Sequence, residues 1–215
     1  MADQETDLQE RDLHPRLEGE RDRIQVLTDG VFAIVMTILV LELRPPHVGI
    51  AALGHALRGM VPLLLVYFLT FLVLGGMWFR HRMEFGYIVR VDHPLTWINL
   101  GFLAFVGLVP WSASLVGQHP GASLTVLLYN VNLAVATLLQ QVGWLYAVSG
   151  RRLIGAMPAR LVGWSRLVGL LPVVDYLIAV PVSLVSPTVA LGIDLLAPIA
   201  YIGGLLYRLL YRLSR

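Results

Sequence analysis

Arg23-Ile24-Gln25-Val26-Leu27-Thr28-Asp29-Gly30-Val31-Phe32-Ala33-Ile34-Val35-Met36-Thr37-Ile38-Leu39-Val40-Leu41-Glu42-Leu43 is the stretch on which the fold turns. From Ile24 it runs 20 residues with only Asp29 and Glu42 charged, the length that carries an α-helix across a hydrocarbon core of about 30 Å. Five further runs of this kind follow, at Val61–Phe79, Leu95–Val116, Ala122–Val148, Leu161–Val185 and Thr188–Tyr207. Helix breakers stand between most of them: Pro45-Pro46, Asp92-His93-Pro94, Gln118-His119-Pro120-Gly121 and Ser186-Pro187. The expected fold class is an all-α integral membrane protein with six transmembrane helices. It divides into a polar tail, 1–22, and a six-helix transmembrane domain, 23–215, with no room for a second domain. Between the first two spans, Ile50, Leu53, Leu57 and Met60 recur at helical spacing. That stretch, Gly49–Met60, reads either as a short helix in the outer interface or as an ordered loop.

Composition agrees. Of the 215 residues 57% are hydrophobic and 14% charged, against about 25% charged in a soluble domain, which excludes a soluble enzyme. Eight of the 14 acids precede Arg23, and with no apolar run among them the first 22 residues read as a solvated cytoplasmic tail and not as a signal peptide. All 16 basic residues are arginine and they are scattered, a pattern of base composition that does not predict a nucleic-acid partner. There is no cysteine, hence no thiolate ligand or nucleophile. His47, His55, His93 and His119 are lone histidines at loops, so neither a metal site nor a cofactor is expected. No catalytic constellation or Walker loop is present.

Orientation follows from arginine placement, since cytoplasmic loops retain positive charge. With the N-terminus inside, the inner side collects Arg11, Arg16, Arg21, Arg23, Arg80, Arg82, Arg90, Arg151, Arg152, Arg160, Arg166, Arg208, Arg212 and Arg215, and the outer side only Arg44 and Arg58. Both termini are therefore expected in the cytoplasm.

On the first span, Arg23, Leu27, Ile34, Ile38 and Leu41 fall within about 60° of one another at 100° per residue, and Thr37 borders that stripe. Asp29 points away from it. A carboxylate on a membrane helix faces protein or water and not lipid, so one side of this helix must pack polar groups. The stripe itself reads as helix-packing surface or as a pore lining.

The run Arg23-x-x-x-Leu27-Thr28-Asp29, with Thr37, Leu41-Glu42-Leu43-x-Pro45, Trp78-x-x-His81, Asp92, Trp97-x-Asn99 and Pro110-Trp111-Ser112, resembles the bacterial branch of the transmembrane protein 175 potassium channel family. It covers about the first 115 residues; the last three spans agree only in number and hydrophobicity. Leu27 and Thr28 stand where the family motif has Phe and Ser, keeping apolar bulk and a hydroxyl. The resemblance implies a homotetramer passing potassium through a pore lined by the first helices, without a pore loop, in a bacterial plasma (inner) membrane. The sequence likewise contains no Thr-Val-Gly-Tyr-Gly carbonyl filter. At matching positions Ile34 takes the main hydrophobic constriction, Thr37 a hydroxyl layer one turn outward, and Ile38 and Leu41 further apolar lining. Arg23, Thr28, Asp29, His81 and Asn99 are expected to form a structural polar network. The alternative for Asp29 or His81 is titration that gates the pore.

Two other functions compete: a proton-permeable channel of the same architecture, and a proton-coupled transporter using Asp175 and Asp194. Those two acids lie in the proline-bearing spans five and six, where an intramembrane acid is a functional candidate by default. The plainer reading is that each is protonated or bonded to a freed backbone group or to Tyr176 or Tyr201. Trp78, Trp97, Trp111, Trp144 and Trp164 are expected as interfacial anchors, and the pairs Gly75-Gly76 and Gly203-Gly204 as close helix contacts.

Overall fold

The structure, a computed structural model, describes residues 2–119 and 121–202, with side chains from 19 to 199 apart from residue 120. The last residues of the sixth expected span, Gly203-Gly204, Arg208, Arg212 and Arg215 lie outside the described residues, as does the side chain of Tyr201.

Helix α1 runs Ala2–Ile38 and tightens into a 3₁₀ turn over Leu39–Glu42. The polar segment is therefore helical and continuous with the first span. Arg21 ties it down, donating from Nη2 to the Phe85 carbonyl at 3.1 Å. Next comes α2, Ile50–Gly59, which settles the interspan stretch as a helix; it buries none of its residues. Then follow α3, Val61–Phe85, and α4, His93–Gln118. Both begin with a proline in the first turn, where its missing N–H costs nothing, and Asp92 caps α4 by accepting from the Leu95 N–H at 3.1 Å. After α5, Ser123–Val148, come α6, Ala159–Val168, α7, Leu170–Val185, α8, Pro187–Ile193, and α9, Leu196–Ile202.

Five stretches are long and apolar enough to cross a membrane: Gly19–Glu42, Val61–Phe85, His93–Gln118, Ser123–Arg151 and Ala159–Val185. The expected sixth span corresponds, over the described residues, to a shorter apolar helical stretch, Pro187–Ile199, interrupted between α8 and α9. Prolines explain both this break and the one inside span five. Pro198 is the third residue of α9 and has no N–H for the Asp194 carbonyl; Pro172 is the third residue of α7 and has none for Val168. Each interruption of the helix falls a few residues before its proline.

Side chains of neighbouring helices bond backbone groups that flank both breaks. Arg80 of α3 donates from Nη1 to the Gly169 carbonyl at 2.9 Å, from Nε to Glu84 at 2.7 Å, and from Nη2 to Gln141 Oε1. Gln141 of α5 in turn donates to the Arg166 carbonyl at 3.1 Å. Gly169 leaves room for this clamp: a Cβ there would lie 2.2 Å from Gln141 Oε1. At the second break, Asp175 Oδ2 accepts from the Ala197 N–H of α9 at 3.2 Å. Asp175 is thus bonded to a freed backbone group, while Asp194 is fully buried and neither of its oxygens is hydrogen-bonded among the described residues.

The main core joins Phe32, Val35 and Leu39 of α1 to Val73 and Leu74 of α3, Phe102 and Val106 of α4, Tyr129 and Leu133 of α5, and Tyr176 of α7. A second cluster closes one end of the bundle. There Phe85, Ile88 and Leu95 pack on Trp144, Leu153, Ile154 and Met157, and an isolated antiparallel bridge pairs Ile88 with Ile154. Arg152 and Tyr146 fasten this end further by donating to Asp92 Oδ2 at 2.8 and 2.7 Å. Two expectations change here. Trp144 is 3% exposed and donates to Ser165 Oγ, so it is a core residue and not an interfacial anchor, because the folded loops cover it. A Cβ on Gly75 would meet nothing within 4 Å, so Gly75 makes no close helix contact among the described residues.

Arg80→Ala strips one partner from a buried ion pair and frees the Gly169 carbonyl. A loss of about 3–5 kcal/mol is expected, read as a lowered thermal unfolding midpoint of the detergent-solubilised protein.

Candidate functional site

Helix α1 has two working faces. Thr28, Phe32, Val35 and Leu39 recur at four- and three-residue steps and are all buried. The predicted stripe lies on another face and is left outside the subunit: Leu27 is 46% exposed, Ile34 59%, Ile38 39% and Leu41 68%. Thr37 and Arg23 are exposed as well. The Thr37 hydroxyl folds back on its own helix, with the Ala33 carbonyl at 2.9 Å and the Ile34 carbonyl at 2.8 Å.

The predicted polar residues separate into two groups. Thr28, Asn99 and His81 meet in one chain of bonds: Asn99 donates from Nδ2 to Thr28 Oγ1 at 3.1 Å and accepts on Oδ1 from His81 Nε2 at 2.9 Å. This arrangement requires a proton on His81 Nε2. The imidazole is 3% exposed and stacks on Phe85, with centroids 4.1 Å apart, and on Phe102 at 5.9 Å. Asp29 stands apart from this chain and accepts from the Trp78 indole N–H at 2.8 Å; Arg23 takes no part in it. Trp78 is therefore a bonded partner of Asp29. Sequence reading passed over that role because an indole near a helix end reads equally well as an interfacial anchor.

Further polar contacts join the motif residues Glu42 and Ser112 to partners that the sequence did not single out. At the far end of α1, Glu42 Oε2 accepts from Ser114 Oγ at 2.7 Å, and Gln118 Nε2 donates to the same hydroxyl at 2.8 Å. Asn132 Nδ2 donates to Ser112 Oγ at 3.3 Å, linking α5 to α4. Among the described residues no three His, Asp or Glu side chains gather as metal ligands.

A protein-family model described as the endosomal/lysosomal potassium channel TMEM175 matches residues 23–110. A protein of Chamaesiphon minutus named a potassium channel is 31% identical over 144 residues, covering 64% of this chain and 70% of its own length. The chain belongs to the TMEM175 family. Another relative named a potassium channel, from Streptomyces collinus, is 38% identical over 102 residues; the match covers 47% of this chain and half (50%) of that one. A crystal structure described as a lysosomal potassium-selective channel TMEM175 homologue from Chamaesiphon minutus superposes with a TM-score of 0.77 at 26% identity. It covers 86% of this chain and 97% of the other. The TMEM175 match takes in α1 from Arg23 onward, α2, α3 and most of α4, and so the stripe and the Thr28–Asn99–His81 chain. The helices from α5 onward are related through the structural match.

Asn99→Leu removes both bonds of the central amide and leaves His81 Nε2–H and the Thr28 hydroxyl buried without partners. The expected cost is about 2–4 kcal/mol, measured by thermal unfolding beside the conservative Asn99→Gln. Equal stability of Asn99→Leu and the native protein would contradict a structural role for this chain.

Proposed function

We propose that the chain forms a homotetrameric, modestly potassium-selective cation channel, with α1 of each subunit lining the pore. One observation carries this reading: α1 anchors itself on one face and leaves an apolar stripe with a single hydroxyl layer exposed on another. One helix cannot wall a pore, so several copies must meet around an axis, and the relatives named potassium channels supply the permeant ion.

Within that reading Ile34 closes the path by dewetting at a narrow apolar neck, and Ile38 and Leu41 continue the apolar wall. Thr37 faces the ion. Its proton is committed to the Ala33 and Ile34 carbonyls, so the hydroxyl offers lone pairs, the polarity a cation needs. A single hydroxyl layer replaces little hydration water, and discrimination stays modest. Thr28, Asp29, His81 and Asn99 hold α1 in register through their bonds to one another and to Trp78. The membrane is the bacterial plasma membrane, with both termini in the cytoplasm, as the arginine distribution favours.

Purified protein in a planar bilayer under opposed potassium and sodium gradients tests the function directly, and mild cross-linking in detergent should stop at four subunits. Ile34→Asn wets the neck: current rises and potassium preference weakens. Thr37→Ala keeps conduction but lowers the potassium to sodium ratio. If Ile34 only packs, Ile34→Asn instead buries an amide and loses current with stability. That result, together with an unchanged reversal potential in Thr37→Ala, would move the assignment to a coupled transporter.

A further inference from the structure

We propose that Glu42 is the group that collects cations at its end of the pore, and that Ser114 and Gln118 position it there. The inference rests on the channel reading above. The part of the exposed stripe from Ile34 through Ile38 to Leu41 contains no charge, and the one polar side chain bordering it is Thr37. A neck of this kind raises a barrier to a bare ion, so the local cation concentration at its mouth governs the flux. Immediately after Leu41, where α1 tightens into its 3₁₀ turn, the chain places a carboxylate.

That carboxylate is held. Glu42 Oε2 accepts from Ser114 Oγ at 2.7 Å, and Ser114 Oγ is itself bonded by Gln118 Nε2 at 2.8 Å. Both partners lie in the last two turns of α4, which packs on α1. A glutamate free in solvent samples many rotamers; this one is tethered through one oxygen, while Oε1 has no partner among the described residues. Arg44 and Arg58 are the arginines expected on this side, and both are exposed. Neither makes an ion pair with Glu42 among the described residues, so its charge is not cancelled by a bound partner. The other acid of the span, Asp29, lies 13 residues earlier and is bonded to Trp78. Rotational symmetry would repeat Glu42 around the axis, and a ring of like charges in a mouth with low-dielectric walls concentrates counter-ions.

Such an effect is electrostatic and must be screened, with a Debye length of about 30 Å at 0.01 M salt and about 3 Å at 1 M. Glu42→Gln is therefore expected to lower potassium current driven from the Glu42 face at least threefold (~3-fold or more) near 0.01 M potassium. Current near 1 M, current driven from the opposite face, and the potassium to sodium reversal potential should hardly change. Ser114→Ala keeps the charge but frees it, and should give a smaller loss in the same direction, restored by Ser114→Thr. A Glu42→Gln channel with the native concentration dependence from both faces would overturn the inference while leaving the channel reading standing. If the native protein carries no current at all, the channel reading itself fails. Should Glu42→Gln not assemble, the Ser114→Ala and Ser114→Thr pair decides: equal low-salt currents in both overturn the inference.

Discussion

A chain in hydrocarbon must satisfy its own backbone, and the polar side chains inside this bundle are placed largely by that demand. An unpaired carbonyl or N–H at membrane depth costs several kcal/mol, so each proline-induced break needs a partner from elsewhere. Arg80 and Gln141 meet the break before α7, and Asp175 meets the break before α9. Arginine suits the first site because its planar fork serves three acceptors at once, the Gly169 carbonyl, Glu84 and Gln141. The charged side chains of Arg80 and Asp175 are thus part of the backbone's hydrogen bonding. Not every buried polar group follows this rule: among the described residues Asp194, and the side-chain amide of Asn130, are buried without a hydrogen-bonding partner.

The same demand shapes α1 differently. No proline interrupts Gly19–Ile38, so its backbone is self-sufficient and its side chains are free to divide by face. Thr28 anchors the helix through Asn99, Phe32 packs on Phe102 with ring centroids 5.9 Å apart, and Leu39 completes the buried row. Asp29, one residue after Thr28, is carried out of that row and meets Trp78. The helix is fixed from two directions, and both fixings lie off the exposed stripe.

Helical periodicity and length made the spans and the two-faced first helix legible, because each signal is local and repeats every few residues. The motif residues also marked Thr28, His81 and Asn99 as belonging together, while Asp29 went to Trp78. Pairing depends on where α1, α3 and α4 cross, and no periodicity within one helix encodes that. The breaks at Gly169 and Asp194 were less legible. A proline inside an apolar run is compatible with a kinked span or with a new helix, and the outcome rests on whether a distant Arg80 or Asp175 can supply the missing bond. Trp144 shows the same limit: its burial depends on loops, around Ile88 and Ile154, that fold back over it.

The separation of faces on α1 bears on how the two motif departures are tolerated. Thr28 stands where the family motif has Ser, and the atom it contributes is the hydroxyl oxygen that accepts from Asn99; the extra methyl goes into a fully buried site beside that bond. Leu27 stands where the motif has Phe, and it lies on the exposed stripe, 46% open, where the subunit places no packing constraint on its size. The two substitutions therefore act on different things. A change at 28 is filtered by the fold, which needs an oxygen there. A change at 27 is filtered only by what meets the stripe outside the subunit, so this position can vary without disturbing the buried face of the helix.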